Sequence, residues 1–587
     1  MIGKIIGISN NLVDLEITTS VENIRNLINF HVVFDQPNNK IVGEILSVSS
    51  NKATALLVGE ITNNVFLPGV SKKPFLGAPF RYITSEELML ILGTNPEEKI
   101  INIGRLPQYN GYKVNVSVNQ LLTNHFTILG NTGSGKSYSL SRLLQNLFLQ
   151  SDSIPKNANI FIFDAYGEYH RALKVLDNNE NTNFKVYTTK VSEFEEVDKQ
   201  LLKIPPWLLD VDDYAVLLEA TKATQLPIIQ KALRLVSIFS KQEEEVIVYK
   251  NDIISRAIIE ILYSGGTPMQ VRDQIFAVLT TFNTKELNLD SKVTIPGWTR
   301  TLRQCLIIDK DGKIQEIQLV GEFFKKFVKE GLELTLPDGS YPYTLDHLKE
   351  AFEFALISEG ILKSDKVYDE ANVLRVRLHA LVNSNEKKMF DLAEYMTKKE
   401  YITKLVNTTS GNKAQIINFN ISHVSDRLAK TLVKIISKML FQYSAENENR
   451  ASFPVHIFLE EAHRYVQNDN DINVLGYNIF ERITKEGRKY GVILGMVSQR
   501  PSEISETAIS QCTNFLIFRI QHPKDLSYIK DMIPNMTEEL LGKFKVLQPG
   551  TCIAFGNAFK LPLLLKIELP NPLPDSQNAD ISRIWYQ

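Results

Sequence analysis

The stretch His125-Phe126-Thr127-Ile128-Leu129-Gly130-Asn131-Thr132-Gly133-Ser134-Gly135-Lys136-Ser137-Tyr138 decides the fold. From Gly130 to Ser137 it matches G-x₄-G-K-[ST]. A short apolar run precedes the loop, and Leu and Phe recur at helical spacing after it, from 136 to 150. A glycine-rich loop between a buried strand and a helix start is a phosphate cradle. The glycines let backbone N–H groups curl around phosphate oxygens, and the helix start adds the positive end of its dipole. The expected ligand set is Gly130, Asn131, Thr132, Gly133, Ser134, Gly135, Lys136, Ser137 and Tyr138, and the expected ligands are ATP and Mg²⁺. Lys136 would reach the β and γ phosphates, and the Ser137 hydroxyl would ligate the metal.

Working outward, the next informative stretch is Val455-His456-Ile457-Phe458-Leu459-Glu460-Glu461-Ala462-His463. An apolar run that ends in two carboxylates reads as a buried strand with an acidic C-terminal tip. Ligands of open α/β sheets bind outside the carboxyl ends of the strands. Glu460 is therefore assigned to the metal and Glu461 to polarising the attacking water. His463 either senses the γ-phosphate or is structural. Another buried run, GVILGMVSQRP (491–501), ends in Gln499, which either contacts the γ-phosphate or caps its strand. Arg488, in GRKYG just before that run, is either a finger donated to a neighbouring subunit's ATP or part of a surface basic cluster. Asp164 and Glu168 in DAYGEY follow another strand, with a loop-ordering or a catalytic role. Lys430, Lys434 and Lys438 recur every four residues and so share one helix face, either solvated or set against DNA phosphates.

The rest of the chain fits around this frame. Residues 1–105 carry short alternating runs separated by Asn, Gly, Pro and Ser, the pattern of a small β-barrel, with a helix at SEELMLIL (85–92). Residues 106–195 and 411–570 alternate β and α with continuous apolar strands, as parallel sheets covered on both faces do. Between them, 196–410 is a large helical insertion in which TIPGWTR and TLPDGSYPYTL read as loops. Residues 571–587 form a Pro-rich and polar extended arm that packs on an adjacent subunit or on its own. The fold class is thus α/β: a P-loop core with a helical insertion and an N-terminal small β-barrel. With 65 basic and 67 acidic residues, the net charge of −2 excludes a global polycation, so any nucleic-acid surface must be local. The three cysteines are widely spaced and lack a CxxC pair, which argues against a zinc site or disulfide framework. No apolar run approaches the ~20 residues of a spanning helix. The composition reads as that of a soluble, cytoplasmic protein.

Taken together these residues resemble the HerA branch of the HerA–FtsK ATPases. The resemblance is carried by GRLPQYNGYKVNVSVNQLLTNHFTILGNTGSGKS (104–137), DAYGEY, FLEEAHRYV, EGRKYGVILGMVSQRPSEIS (486–505) and LQPGTCIAFGNAFKLPLLLKIELPNPLP (547–574). It implies a HAS-barrel-like N-terminus, a RecA-like core and a hexameric ring of identical subunits. It also implies ATP-driven translocation on double-stranded DNA, commonly with a nuclease partner. Similar bacterial proteins pair with nucleases or NAD-consuming effector proteins in antiphage defence. The resemblance supports Arg488, and extends to Arg519, as groups at the subunit interface. The first acid is Glu460 where the family more usually carries Asp. Two other functions compete: a ring scaffold that licenses an effector with DNA movement secondary, and a protein-remodelling ring of the AAA+ kind. Against the latter, no aromatic-hydrophobic pore loop stands out.

Overall fold

The structure, a computed structural model, describes residues 2–18, 27–37, 39–94, 97–149, 154–178, 182–191, 199–240, 244–330, 342–358, 365–532, 538–576 and 580–586. Its N-terminal part is built from β1 (Gly3–Ser9), β2 (Leu12–Ile17), β3 (His31–Asp35), β4 (Lys40–Ser49), β5 (Lys52–Thr62), β6 (Val65–Pro68) and β7 (Pro79–Tyr82). They pair antiparallel in the order β2-β1-β7-β3-β4-β5-β6, and β2 also pairs with β5. That last pairing closes the sheet into a barrel and leaves β6 outside it on β5. The turns explain why this sequence makes hairpins: Asn63 and Asn64 between β5 and β6 both have positive φ, 52° and 59°, as a two-residue primed turn requires. Inside the barrel, Val13, Leu15, Val32, Phe34, Ile41 and Phe80 are buried. The expected helix is Ser85–Leu92, capped by Thr84 and Glu87, and Glu87 ties it to the barrel through Arg81 and Lys40.

A 12-stranded sheet forms the core. Its strands are β8 (Ile100–Leu106), β9 (Tyr112–Ser117), β10 (Phe126–Leu129), β11 (Ile160–Asp164), β12 (Phe184–Thr188) and β13 (Lys199–Leu201). After the hairpin β14 (Lys292–Ile295) and β15 (Trp298–Thr301), which lies outside this sheet, come β16 (Ile416–Asn420), β17 (Val455–Leu459), β18 (Val492–Ser498), β19 (Asn514–Ile517), β20 (Thr551–Gly556) and β21 (Leu563–Lys566). The spatial order is β13-β12-β16-β11-β17-β18-β10-β19-β20-β21-β8-β9. Neighbours from β13 to β19 run parallel, and those from β19 to β9 antiparallel. The antiparallel extension was not expected from the sequence. It takes in β8 and β9, so the core sheet begins at Ile100, and the boundary at 105 falls inside β8. The arrangement is RecA-like: the phosphate-loop strand β10 is separated from the acidic strand β17 by β18, and all three end on one edge.

Alternate residues of the parallel strands enter two different cores. Phe161, Phe163, Phe419, Ile457 and Met496 join the cluster that also holds the insertion, and Ile160, Ile162, Phe458 and Val497 join the cluster that faces the helix Lys136–Leu149. Burial on both faces is why these strands read as continuous apolar runs. The insertion is continuous with the core cluster on its side, and Trp207 Nε1 donates to the Met396 carbonyl at 3.0 Å within it. TIPGWTR is part of a tight β-hairpin rather than a loop, turning at Gly297 with φ +99°. TLPDGSYPYTL lies mostly outside the described residues.

Lys434 and Lys438 are neither solvated nor on a DNA-facing surface. Both are buried on the helix Asp426–Ala445. Lys434 pairs with Asp469 and Asp471, and Lys438 Nζ lies 2.7 Å from Asp210 Oδ1 and 3.1 Å from Asp213 Oδ1. The C-terminal segment runs along its own subunit: Glu568 pairs with Arg142 at 2.7 Å, and the Asp575 amide donates to the Glu168 carbonyl at 2.9 Å. Beyond it, Ile581–Tyr586 is a short exposed helix, not an extended arm. No helix among the described residues is long and apolar enough to cross a membrane.

Candidate active site

The site lies at the carboxyl ends of β10, β11, β17 and β18, and each strand contributes one part. β10 delivers the glycine loop. Gly130 has φ +156°, and a Cβ there would sit 2.6 Å from the Phe518 Cβ and 2.7 Å from the Ser134 Oγ, so only glycine fits. Gly135 has φ +113° and packs against Gly550, whose amide donates to the Ser134 carbonyl at 2.9 Å. The sequence reading missed this prop from the segment before β20. The loop is further pinned by Gly130 N to the Ser498 carbonyl (3.2 Å) and Asn131 N to the Arg519 carbonyl (2.9 Å). Lys136 is buried and folds back, its Nζ donating to the Asn131 carbonyl at 3.1 Å. Burial lowers its pKa, opposed by Glu461, Glu460 and Glu168 nearby.

β17 delivers the two carboxylates. Ser137 Oγ, at the start of the helix after the loop, donates to Glu460 Oε1 at 3.4 Å. Glu460 Oε2 accepts from the hydroxyl of Tyr169, a fully buried side chain. Burial pushes Glu460 up to about 8, against the Tyr169 hydrogen bond and with help from the charge of Glu461. Glu461 occupies the left-handed region, φ +51° and ψ +49°, a strained conformation for a non-glycine residue and one that ends the strand sharply. Its pKa is also raised by burial, and Lys136 pulls it back.

β18 delivers the tip Ser498-Gln499-Arg500. Thr132 Oγ1 donates to Gln499 Oε1, so this strand end reaches the glycine loop directly. His463 Nδ1 lies 3.1 Å from Ser498 Oγ and 3.2 Å from Glu461 Oε2. Burial lowers the His463 pKa and favours the neutral ring. Beside this tip opens a cleft of about 620 Å³ lined by Thr132, Gln499, Arg500, His522 and Lys524 among others.

β11 ends in Asp164, whose carboxylate accepts from the amides of Gly167, Glu168 and Tyr169 at 2.8, 3.0 and 3.0 Å. Asn418 donates to the same carboxylate at 3.2 Å. Asp164 therefore orders the DAYGEY loop. Glu168 sits close enough to raise the pKa of Lys136.

The structure thus brings Gly130–Ser137, Glu460, Glu461 and Gln499 to one edge, with Tyr138 half-buried in the first turn of the helix. Arg488 is elsewhere. It is exposed on the turn Gly487–Tyr490 before β18, at the opposite end of the strand, about 20 Å from the tip at ~3.3 Å per residue. There it bears on His125, which opens the phosphate-loop strand, rather than on Lys136. Arg519 is beside its own glycine loop, and its Nε is buried without a hydrogen-bond partner. Reading the sequence also missed Tyr169, Ser498 and Gly550. Tyr169 was visible as the last letter of DAYGEY, but nothing in the sequence shows which carboxylate it meets.

The residues present fit Mg²⁺ and a triphosphate. A serine hydroxyl and a carboxylate lie side by side, a lysine is buried in the loop, and Glu461 Oε2 is buried without a donor. Mg²⁺ held by one hydroxyl, one carboxylate, phosphate oxygens and water needs no all-protein cage. Among the described residues no such cage of His, Cys, Asp and Glu occurs. A doubly covered, mostly parallel sheet with this loop and this acidic tip defines a P-loop ATPase, whose residues fit ATP and Mg²⁺.

Residues 101–440 match the family described as Helicase HerA, central domain. The chain is 24% identical over 500 residues to the DNA double-strand break repair helicase HerA of Sulfurisphaera tokodaii, covering 84% of this chain and 74% of that protein. It is 24% identical over 564 residues to the protein of the same description from Sulfolobus acidocaldarius, covering 93% and 85%. Among solved structures, VirB4 of Thermoanaerobacter pseudethanolicus aligns with a TM-score of 0.44 at 14% identity, over 81% of this chain and 98% of that one. The chain belongs to the HerA helicase central-domain family.

Proposed function

We propose that this ATPase is a motor that moves along double-stranded DNA as a ring of identical subunits, six by the family resemblance. The carrying observation is the approach of Ser137 to Glu460 at 3.4 Å, with Lys136 buried beside both acids. That is the arrangement hydrolysis of a triphosphate needs. In this reading Lys136 holds the phosphates, Ser137 and Glu460 hold Mg²⁺, and Glu461 orients the attacking water. Gln499, bonded to Thr132, relays the state of the loop to β18. Bound Mg²⁺ would neutralise phosphate charge as the terminal group leaves. The relatives' description as DNA double-strand break repair helicases supports DNA as the track.

The placement of Arg488 favours a ring. It is exposed and a strand length from its own loop, so it serves a nucleotide only if that nucleotide belongs to a neighbour. An arginine so donated is worth large rate factors in phosphoryl transfer. Hydrolysis would then require assembly, and DNA in the hole would be held by phosphate contacts with little sequence preference. The barrel suits docking of an effector, a nuclease or an NAD-consuming protein, in antiphage defence. On its outer surface Val65, Leu67, Phe75 and Leu76 are exposed.

The test is ATP turnover with and without double-stranded DNA. DNA stimulation that disappears in Lys136→Ala supports the motor. Turnover indifferent to DNA but altered by a partner protein would replace it with the scaffold reading. Mixing Lys136→Ala with Arg488→Ala subunits should restore some turnover; inactivity at every mixing ratio rules out donation between subunits.

A further inference from the structure

The DAYGEY loop contributes a side chain that the roles above leave unused. Tyr169 is fully buried, yet its hydroxyl points at a carboxylate rather than at a carbonyl, donating to Glu460 Oε2. The other oxygen, Oε1, is the one that Ser137 meets. The two oxygens of Glu460 are thus divided between a fixed donor behind and the hydroxyl of the phosphate loop in front.

Both ends of the Tyr169–Glu460 contact are anchored to the tip of β11. The Glu460 amide donates to the Phe163 carbonyl at 3.1 Å, and the Tyr169 amide donates to Asp164 Oδ2 at 3.0 Å. Glu168, next to Tyr169, is clamped from outside by the Asp575 amide on its carbonyl. The Tyr169 ring packs in the core beneath the helix Lys136–Leu149, with Leu140 and Leu144 in the same cluster. A donor on so rigid a mount fixes which way the carboxylate plane faces. Without it, a buried Glu460 close to the charges of Glu461 and Glu168 would be free to rotate away from Ser137.

We propose that Tyr169 is the positioning residue of the metal site: its hydroxyl holds Glu460 Oε2 so that Oε1 is presented, beside Ser137, to Mg²⁺. This rests on the assignment of Glu460 to the metal in the proposed function. Residues that orient a metal-binding carboxylate from behind typically change metal affinity 10–100-fold when removed. Tyr169 does not touch substrate and acts only through Glu460.

The test measures the Mg²⁺ concentration that half-saturates binding of a fluorescent non-hydrolysable ATP analogue to the full chain. Tyr169→Phe keeps the ring and should raise that concentration roughly tenfold or more, while binding of the analogue in EDTA stays as it was. Tyr401→Phe is the matched control, a buried tyrosine whose hydroxyl donates to the Lys203 carbonyl at 2.9 Å; it should leave the Mg²⁺ curve in place. Glu460→Gln should raise the requirement further, and Tyr169→Phe added to it should change nothing more. Asp164→Asn leaves Tyr169 in the chain but weakens the bonds that hold its backbone. It should give a smaller rise, and it tests the same point if Tyr169→Phe does not fold. A folded Tyr169→Phe protein with an unchanged curve overturns the proposal, as does an additive double variant. An unchanged curve in Glu460→Gln would instead overturn the metal assignment.

Discussion

Two places in this molecule bury a lysine among carboxylates, and they are built in opposite ways. On the helix Asp426–Ala445, Lys434 is matched with Asp469 and Asp471, and Lys430 adds a bond to Asp469 at 3.0 Å. Burial alone would raise the Asp469 pKa, yet Lys434 beside it holds the carboxyl below its ordinary range. Charges there are satisfied by one another. At the strand tips, Lys136 bonds to a carbonyl and feels Glu461, Glu460 and Glu168 at longer range. Glu460 and Glu461 both keep raised pKa values, and Glu461 sits in a strained backbone conformation. A cluster that satisfies itself holds a fold together. One that leaves opposite charges apart reserves them for a ligand, at a cost in stability.

The contrast is broken most directly at Lys136. Lys136→Ala should cut ATP turnover at least a hundredfold, the order seen when a donor to a developing charge is removed, while the thermal midpoint moves little. A fall in midpoint large enough to explain the lost activity would erase the distinction. Lys434→Ala should do the reverse. It strands Asp471 and leaves Asp469 with only the partly exposed Lys430 as an ion-pair partner among the described residues, and removal of one partner from a buried pair costs about 3–5 kcal/mol. Urea unfolding should register that loss, and turnover per folded molecule should stay near wild type.

A smaller effect tests the cost of the site. Glu460 titrates near 8 in the folded protein and near 4.5 when unfolded. Between those values the folded state holds the proton more tightly, so this contribution is complete below 4.5 and is lost as pH rises through about 8. Without nucleotide or Mg²⁺, the wild type should therefore lose stability from pH 5 to pH 8 through this group. Glu460→Gln, uncharged throughout, should flatten that slope and be more stable at pH 8, by up to a few kcal/mol. Parallel pH profiles for the two proteins would show that Glu460 is not strained by its burial.

What could be read from the sequence follows the same division. The loop 130–137 and the tip at Glu460–Glu461 were legible because phosphate and metal chemistry demand particular residues at fixed spacing, and continuous apolar runs announced the buried parallel strands. The partners of those residues were not legible. Gly550 props the loop, and Tyr169 backs Glu460, across hundreds of residues of chain, so no local pattern records them. The extension β20-β21-β8-β9 was hidden for a related reason. It joins the two ends of the core, and only the folded sheet makes them neighbours. The lysines misled because a four-residue repeat gives a shared helix face but not what lies opposite. Asp469, Asp471 and Asp210 come from other segments.

The smallest effect belongs to Lys430, the outermost of that row. Its side chain is 24% exposed, Asp469 is its only ion-pair partner among the described residues, and Asp469 keeps Lys434 when Lys430 is lost. A partly exposed pair of this kind is worth roughly 1 kcal/mol or less. Lys430→Ala should thus sit within about 1 kcal/mol of wild type in urea unfolding, well short of Lys434→Ala. DNA binding sharpens the point. A lysine that contacts a phosphate releases a counterion on binding, so its removal lowers the slope of log affinity against log salt by about one. If Lys430 serves the internal cluster, that slope should not change. A slope reduced by about one, with stability intact, would return this residue to the DNA surface and leave Lys434 and Lys438 alone as the interior pair.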